Sequence, residues 1–211
     1  MRITEIFFSI QGESTHAGRP CVFVRLTGCP LRCVWCDTAY AFHGGTERSL
    51  DSLLGEVDQY GCRLVEITGG EPLAQPEVHS LITALADRGY TVLIETSGAF
   101  DIAPVDPRAT LIMDLKCPGS GMADRNLWAN IPKLKLTDEI KFVIKDRADY
   151  EWAAATVRER ALTDRHQVLF SPVFGEMNPQ TLAEWVLADR LPVRCQLQLH
   201  KYIWDPAMRG V

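Results

Sequence analysis

The chain has 211 residues, 46% of them hydrophobic, with 22 Lys and Arg against 27 Asp and Glu for a formal charge of −5. At roughly 150 residues per domain this is the length of one domain, 1–211, able to bury a core without disulfide staples. No basic block marks nucleic acid as a direct substrate, no run of about 18 apolar residues offers a membrane span, and Met1–Glu5 lacks an apolar signal stretch, so a cytoplasmic setting is expected.

Ile3–Phe8 reads as a first strand. Six further strand-length runs rich in β-branched residues follow at Cys21–Leu26, Leu64–Thr68, Thr91–Thr96, Leu111–Lys116, Ile140–Ile144 and Gln167–Phe170. Helical spacing of apolar residues falls between most of them, at Ser49–Tyr60, Glu77–Arg88, Asp149–Arg160 and Gln180–Ala188. Ala123–Leu136 is ambiguous because Pro132 interrupts it, and Arg194–Leu199 reads as a last strand. Strands alternating with helices imply right-handed βαβ units and a parallel sheet. A closed eight-unit barrel needs about 250 residues, so the expectation is an α/β fold, a partial (β/α)6 barrel with extra terminal strands. Only Ala39–Thr46 separates the first loop from the first helix, which implies a truncated or remodelled first βα unit.

Chemistry in such sheets gathers where strands end. Here those ends read Thr27-Gly28-Cys29, Thr68-Gly69-Gly70-Glu71-Pro72, Glu95-Thr96-Ser97-Gly98, Asp114-Leu115-Lys116 and Ser171-Pro172. Seven cysteines make an odd number, and Cys29, Cys33 and Cys36 crowd into one loop. Such a set suits a metal or cluster site in a reducing compartment better than a disulfide framework. Three thiolates spaced C-x3-C-x2-C can ligate three irons of a 4Fe–4S cluster, and with no fourth cysteine nearby one iron stays open. A zinc site would need a remote fourth ligand such as His43.

The cysteine loop after the first repeat strand, followed one unit later by Gly69-Gly70-Glu71-Pro72, resembles the radical S-adenosylmethionine (SAM) superfamily. The resemblance implies that SAM chelates the open iron and that its reductive cleavage yields a 5′-deoxyadenosyl radical. No side chain is then itself the catalyst. It also implies SAM contacts from Gly70, Glu71, Ser97, Asp114 and Lys116, with Ser171 near the adenine or ribose. Trp35 and Asp37, flanking Cys36, would lie against the adenine, although Trp35 equally suits a hydrophobic cover for the cluster.

Phe7–Glu13, Gly18-Arg19-Pro20, Phe23–Leu26, Cys36-Asp37-Thr38 and Leu199–Tyr202 narrow the resemblance to the 7-carboxy-7-deazaguanine synthases. That family contracts the ring of 6-carboxy-5,6,7,8-tetrahydropterin to 7-carboxy-7-deazaguanine, releases ammonia and regenerates SAM, in 7-deazapurine and queuosine biosynthesis. The resemblance implies Mg²⁺ on Thr38, an external flavodoxin-like electron donor and a homodimer. It implies substrate contacts from Ile10, Gln11, Gly12, Arg25, Thr68 and His200. Glu13 either holds the N-terminal loop or faces substrate. Residues 203–211 belong to no motif; folded back over the site, their terminal carboxylate would meet the substrate. The rival within the superfamily is a glycyl-radical activase, which shares the cysteine loop and length but acts on a partner protein.

Overall fold

In the computed structural model, which describes residues 1–211, every strand belongs to one open sheet. The strands are β1 (Arg2–Ile10), β2 (Pro20–Leu26), β3 (Thr46–Glu47), β4 (Leu64–Gly69), β5 (Thr91–Thr96), β6 (Thr110–Asp114), β7 (Glu139–Ile144), β8 (Gln167–Pro172) and β9 (Arg194–Cys195). Their order is β3-β1-β2-β4-β5-β6-β7-β8-β9, antiparallel at β3, β1 and β2 and parallel from β2 onward. The two edges, β3 and β9, are two residues each and do not pair, so the barrel stays open.

Helices α1 (Leu50–Gln59), α2 (Val78–Asp87), α3 (Arg147–Glu159) and α4 (Pro179–Ala188) pack on one face, and α5 (His200–Ile203) is a single turn near the C-terminus. Local chemistry sets their starts. The Ser49 hydroxyl accepts from the Ser52 N–H ahead of α1, and Asp146 accepts from the Asp149 N–H ahead of α3. Asn178 accepts from Gln180 and Thr181 ahead of α4, whose first residue is a proline. Leu53, Val57, Leu81, Leu85, Ala153, Val157 and Leu182 meet Val24, Ile67, Ile94, Met113, Phe142 and Phe170 in one buried core.

The period-2 pleat turns the alternate residues of these strands to the other face. There Phe7, Cys21, Phe23, Leu64, Leu93 and Ile112 form a small apolar floor. One pleat further along come Arg25, Glu66, Thr68, Glu95, Asp114 and Lys141. In sequence these strands read as near-continuous apolar runs, as expected of strands covered on both faces.

Two open readings are resolved and one expected element differs. The first crossover carries a 3-10 turn at Ala39–Phe42 and the short β3 before α1, so the first unit is remodelled as well as shortened. Ala123–Leu136 forms 3-10 turns at Ala123–Arg125 and Trp128–Lys133, with Pro132 inside the second, and no α-helix. Arg194–Leu199 gives only a two-residue strand because Gln196 turns its side chain inward. Its amide accepts from the Ser14 N–H at 2.9 Å and donates to the Ser14 carbonyl at 2.6 Å. The chain then leaves the sheet edge, and the Leu199 N–H reaches the Gly12 carbonyl at 2.9 Å.

Asn130, fully buried in the second of those turns, pins the segment that follows β5. Its Nδ2 donates to the carbonyls of Gly98 (3.0 Å) and Phe100 (2.7 Å), and its Oδ1 accepts from the Ile102 N–H (3.3 Å). Asn130→Ala leaves these buried groups unpaired and should cost about 2 kcal/mol of stability. Chemical denaturation checks this, and an unchanged midpoint would contradict it.

Candidate active site

The charged face opens on a cavity of about 730 Å³ at the carboxyl ends of the parallel strands, within the ~300–1,000 Å³ usual for ligand sites. Cys29, Cys33 and Cys36 line one side, half-buried and free of disulfides. The loop that carries them is held from both ends. The Gly28 N–H donates to the Ala41 carbonyl, and the Val34 N–H donates to Ser120. Leu31 gives its N–H to Cys29 Sγ at 3.4 Å. Burial raises all three thiols above their ordinary value, and Lys116 offsets this most at Cys33. A Cβ at Gly70 would sit 2.2 Å from the Gly28 carbonyl oxygen and 2.7 Å from Cys29 Cβ, so only glycine lets the second strand end approach the cysteine loop. Three soft thiols on one wall suit a cluster that bridges them. No three His, Cys, Asp or Glu side chains converge as a single ion requires, and His43 is exposed and off the cavity.

Gly70, Ser97, Asp114 and Lys116 line the cavity as expected. Asp114 Oδ2 accepts from Lys116 Nζ at 2.9 Å, while Asp114 Oδ1 is buried without a partner. Burial is the largest influence on the Lys116 ammonium and would lower it, but the charge and hydrogen bond of Asp114 together with Cys33 carry the net shift upward. Two expected SAM contacts fall elsewhere. Glu71 is fully buried and off the cavity. Its carboxylate accepts from the Leu73 N–H (3.0 Å), the Thr96 hydroxyl (2.9 Å) and Ser97 through both N–H (2.7 Å) and Oγ (2.5 Å). It is a strut that aims Ser97. Ser171 is also buried and does not line the cavity.

Trp35, Asp37 and Thr38 line the cavity beside the cysteines, with Lys145 Nζ 5.9 Å from the Trp35 ring centre. Both oxygens of Asp37 are engaged, one by Lys201 Nζ at 2.6 Å and the other by the Thr38 hydroxyl at 2.8 Å. Desolvation works against the ionised form of Asp37, but Lys201, the Thr38 hydroxyl and His200 together hold the group below the usual carboxylate range.

The opposite wall brings together Ile10, Gln11, Gly12, Glu13, Arg25, Thr68 and His200. The β2–β4 register sets Arg25 beside Thr68. Arg25 gives Nε to Glu5 at 2.7 Å, and its terminal nitrogens have no protein partner. His200 packs so closely on Gly12 that a Cβ there would lie 2.0 Å from Nδ1. Burial lowers the His200 imidazole below its ordinary value, which keeps it neutral at pH 7. Glu13 ties the loop down, accepting from Lys141 Nζ at 2.8 Å and from Gln198 at 3.0 Å. Burial alone would raise it, but Lys141 and then His200 hold it at about 2.

Three residues of this wall escaped the sequence reading: Glu66, Glu95 and Lys141. Lys141 Nζ bonds Glu13 and Glu95 and lies 3.8 Å from Asp114. Gln11 donates to Glu66. Glu95 Oε2 is buried without a partner. The available signal was a charge inside each apolar run, at the inward phase of the pleat.

Burial pushes Glu66 up to about 7, with Gln11 opposing the shift and Glu13 reinforcing it. Glu66 is therefore protonated in the folded protein over a window, about 4.5 to 7, in which it ionises when unfolded. The folded state binds more protons there, so stability falls as pH rises through that window. Burial raises Glu95 in the same direction. Glu66→Gln should flatten the slope of denaturation midpoint against pH across this range. An identical slope in the variant would contradict the assignment.

Comparison with known proteins places these features. Residues 23–116 match the Radical SAM superfamily. The chain is similar to the 7-carboxy-7-deazaguanine synthase of Chlorobaculum tepidum, at 47% identity over all of this chain and 97% of that relative. It is equally similar to that of Koribacter versatilis, at 47% over the whole of both. The crystal structure of QueE from Escherichia coli superposes with a TM-score of 0.77 at 25% identity, covering 94% of each chain. Streptococcus suis SuiB bound to S-adenosylmethionine shares the fold at a TM-score of 0.61 and 15% identity, over 81% of this chain and 48% of that one.

Proposed function

Because the chain belongs to the 7-carboxy-7-deazaguanine synthase family of radical SAM enzymes, we propose that its cavity contracts the ring of 6-carboxy-5,6,7,8-tetrahydropterin to 7-carboxy-7-deazaguanine with release of ammonia. The observation that carries this reading is the opening of three free thiols and of the polar ends of four successive parallel strands, β2, β4, β5 and β6, on one cavity. When bound, a 4Fe–4S cluster and SAM supply the chemistry that removes the hydrogen from C6 of the substrate and later returns it.

The chain's own residues position and shield. Cys29, Cys33 and Cys36 would hold three irons. Gly70, Ser97, Asp114 and Lys116 face SAM, with the orphan Asp114 Oδ1 free for a ligand hydroxyl or amine. Trp35 covers the cluster side. Gln11, the Gly12 backbone, Thr68 and neutral His200 meet the donor and acceptor edges of a flat heterocycle. The free terminal nitrogens of Arg25 fit a carboxylate fork. Thr38 offers one hard oxygen to Mg²⁺, and water and the substrate carboxylate would complete the shell. Residues 206–211 fold back to line the cavity, which suits a small substrate better than the docked partner protein of an activase.

The reading extends to a single-domain, cytoplasmic enzyme that takes electrons from a flavodoxin-like donor and pairs as a homodimer. No helix is long and apolar enough to cross a membrane.

The test is anaerobic turnover of cluster-loaded protein with dithionite, SAM, Mg²⁺ and the carboxytetrahydropterin, read by mass spectrometry. The expected result is the deazaguanine product without matching 5′-deoxyadenosine. Cleaved SAM with unchanged pterin would overturn the substrate assignment. Thr38→Ala should raise the Mg²⁺ concentration for half-maximal turnover about tenfold, the scale of a weakened metal shell. An unchanged requirement would remove Thr38 from the metal site.

A further inference from the structure

Arg209 lies on the tail beyond α5, lines the cavity, and has no role in the reading above. Its guanidinium carbon sits 4.1 Å from the centre of the Tyr40 ring. The same ring lies 5.9 Å from the Arg25 guanidinium. Tyr40 stands on the 3-10 turn just past Thr38, and its hydroxyl donates to Glu5 Oε1 at 2.7 Å. That oxygen also takes Arg25 Nε. Glu5 therefore neutralises one guanidinium, while Arg209 has no hydrogen bond and no ion pair.

Two guanidiniums thus share one aromatic ring with a single carboxylate between them. Tyr40 adds no negative charge, since burial, against the opposing pull of Arg25, pushes its hydroxyl up to about 12. The other acidic side chains of the cavity wall are engaged elsewhere, Glu13 and Glu95 by Lys141, Asp37 by Lys201, Asp114 by Lys116, Glu176 by Lys145 and Glu66 by Gln11. Stacking fixes a guanidinium through its face and leaves its N–H edge free for an anion. Arg209 is thus a cavity-lining guanidinium with no carboxylate partner, and it rides on the tail that also carries the terminal residue Val211.

We propose that Arg209, stacked on Tyr40, is a second guanidinium beside Arg25 for the carboxylate of the bound substrate, so that the anion draws the tail over the cavity mouth. This rests on the pterin reading above. SAM also bears a carboxylate, but Arg25 pairs in register with Thr68 on β4, away from the Ser97, Asp114 and Lys116 edge assigned to SAM.

Arg209→Gln and Arg209→Lys test it, with kcat and KM for the carboxytetrahydropterin, KM for SAM, and calorimetric affinity for both the carboxylate and its neutral 6-carboxamide analogue. The expected result for Arg209→Gln is an approximately tenfold weaker carboxylate, the scale of one lost charge-assisted bond. It should come with kcat within about twofold, unchanged carboxamide and SAM affinities, and partial rescue by Arg209→Lys. Arg209 is exposed, so neither variant threatens the fold. An unchanged carboxylate KM overturns the proposal. So does an equal loss for the carboxamide, which would make the tail a neutral cover, or a loss confined to SAM. A wild-type enzyme that binds SAM but neither binds nor converts the pterin would instead remove the functional reading, and this inference with it.

Discussion

A buried ammonium sets the terms for the catalytic face of this sheet. Lys141 Nζ bonds Glu13 and Glu95 and lies 3.8 Å from Asp114, with its side chain only 7% exposed. Carboxylates away from water are tolerated when paired and are costly when not. Three acids converge on this one cation, and their states diverge accordingly. Glu13 is held low and ionised, while burial drives Glu95 up. The pairing also has architectural reach. Glu13 anchors the loop after β1 to Lys141 on β7 and to Gln198 near α5, so residues distant in sequence surround one volume. Glu95 Oε2 and Asp114 Oδ1 remain without partners, which leaves both open to hydrogen bonding with a ligand.

A second constraint joins this face to the cysteine loop. The Gly70 approach to Gly28 and Cys29 allows the Glu71 N–H to reach the Gly28 carbonyl at 2.9 Å. The Glu71 side chain then turns away and collects Leu73, Thr96 and Ser97 behind the rim. One short segment thus sets both the cluster loop and the end of β5. An interior built this way is preorganised, with side chains oriented by their own partners before a ligand arrives.

The strand–helix alternation and the cysteine spacing were legible because each depends on local pattern. Most of the residues expected at the site line one cavity, since strand ends in a parallel sheet open on a common side. Roles were harder to read. Glu71 follows two glycines and looks like a ligand, but its carboxylate faces inward, and only the fold shows the four bonds it accepts. Ser171 ends a strand at the same level yet points to a buried position. Arg194–Leu199 has strand composition, but the Gln196 amide finds a better partner in Ser14. Glu66, Glu95 and Lys141 were hidden in runs that read simply as apolar strands. The sequence marks their phase along each strand, but which face becomes the cavity is settled only by where the helices pack.

Lys141 is tested most directly by pterin KM and kcat in cluster-loaded Lys141→Met beside Lys141→Arg. The expected result is a KM raised by about an order of magnitude or more in the methionine variant, substantial recovery in the arginine variant, and unchanged iron content and SAM affinity in both. Pterin kinetics indistinguishable from wild type in a folded, iron-loaded Lys141→Met protein would contradict it.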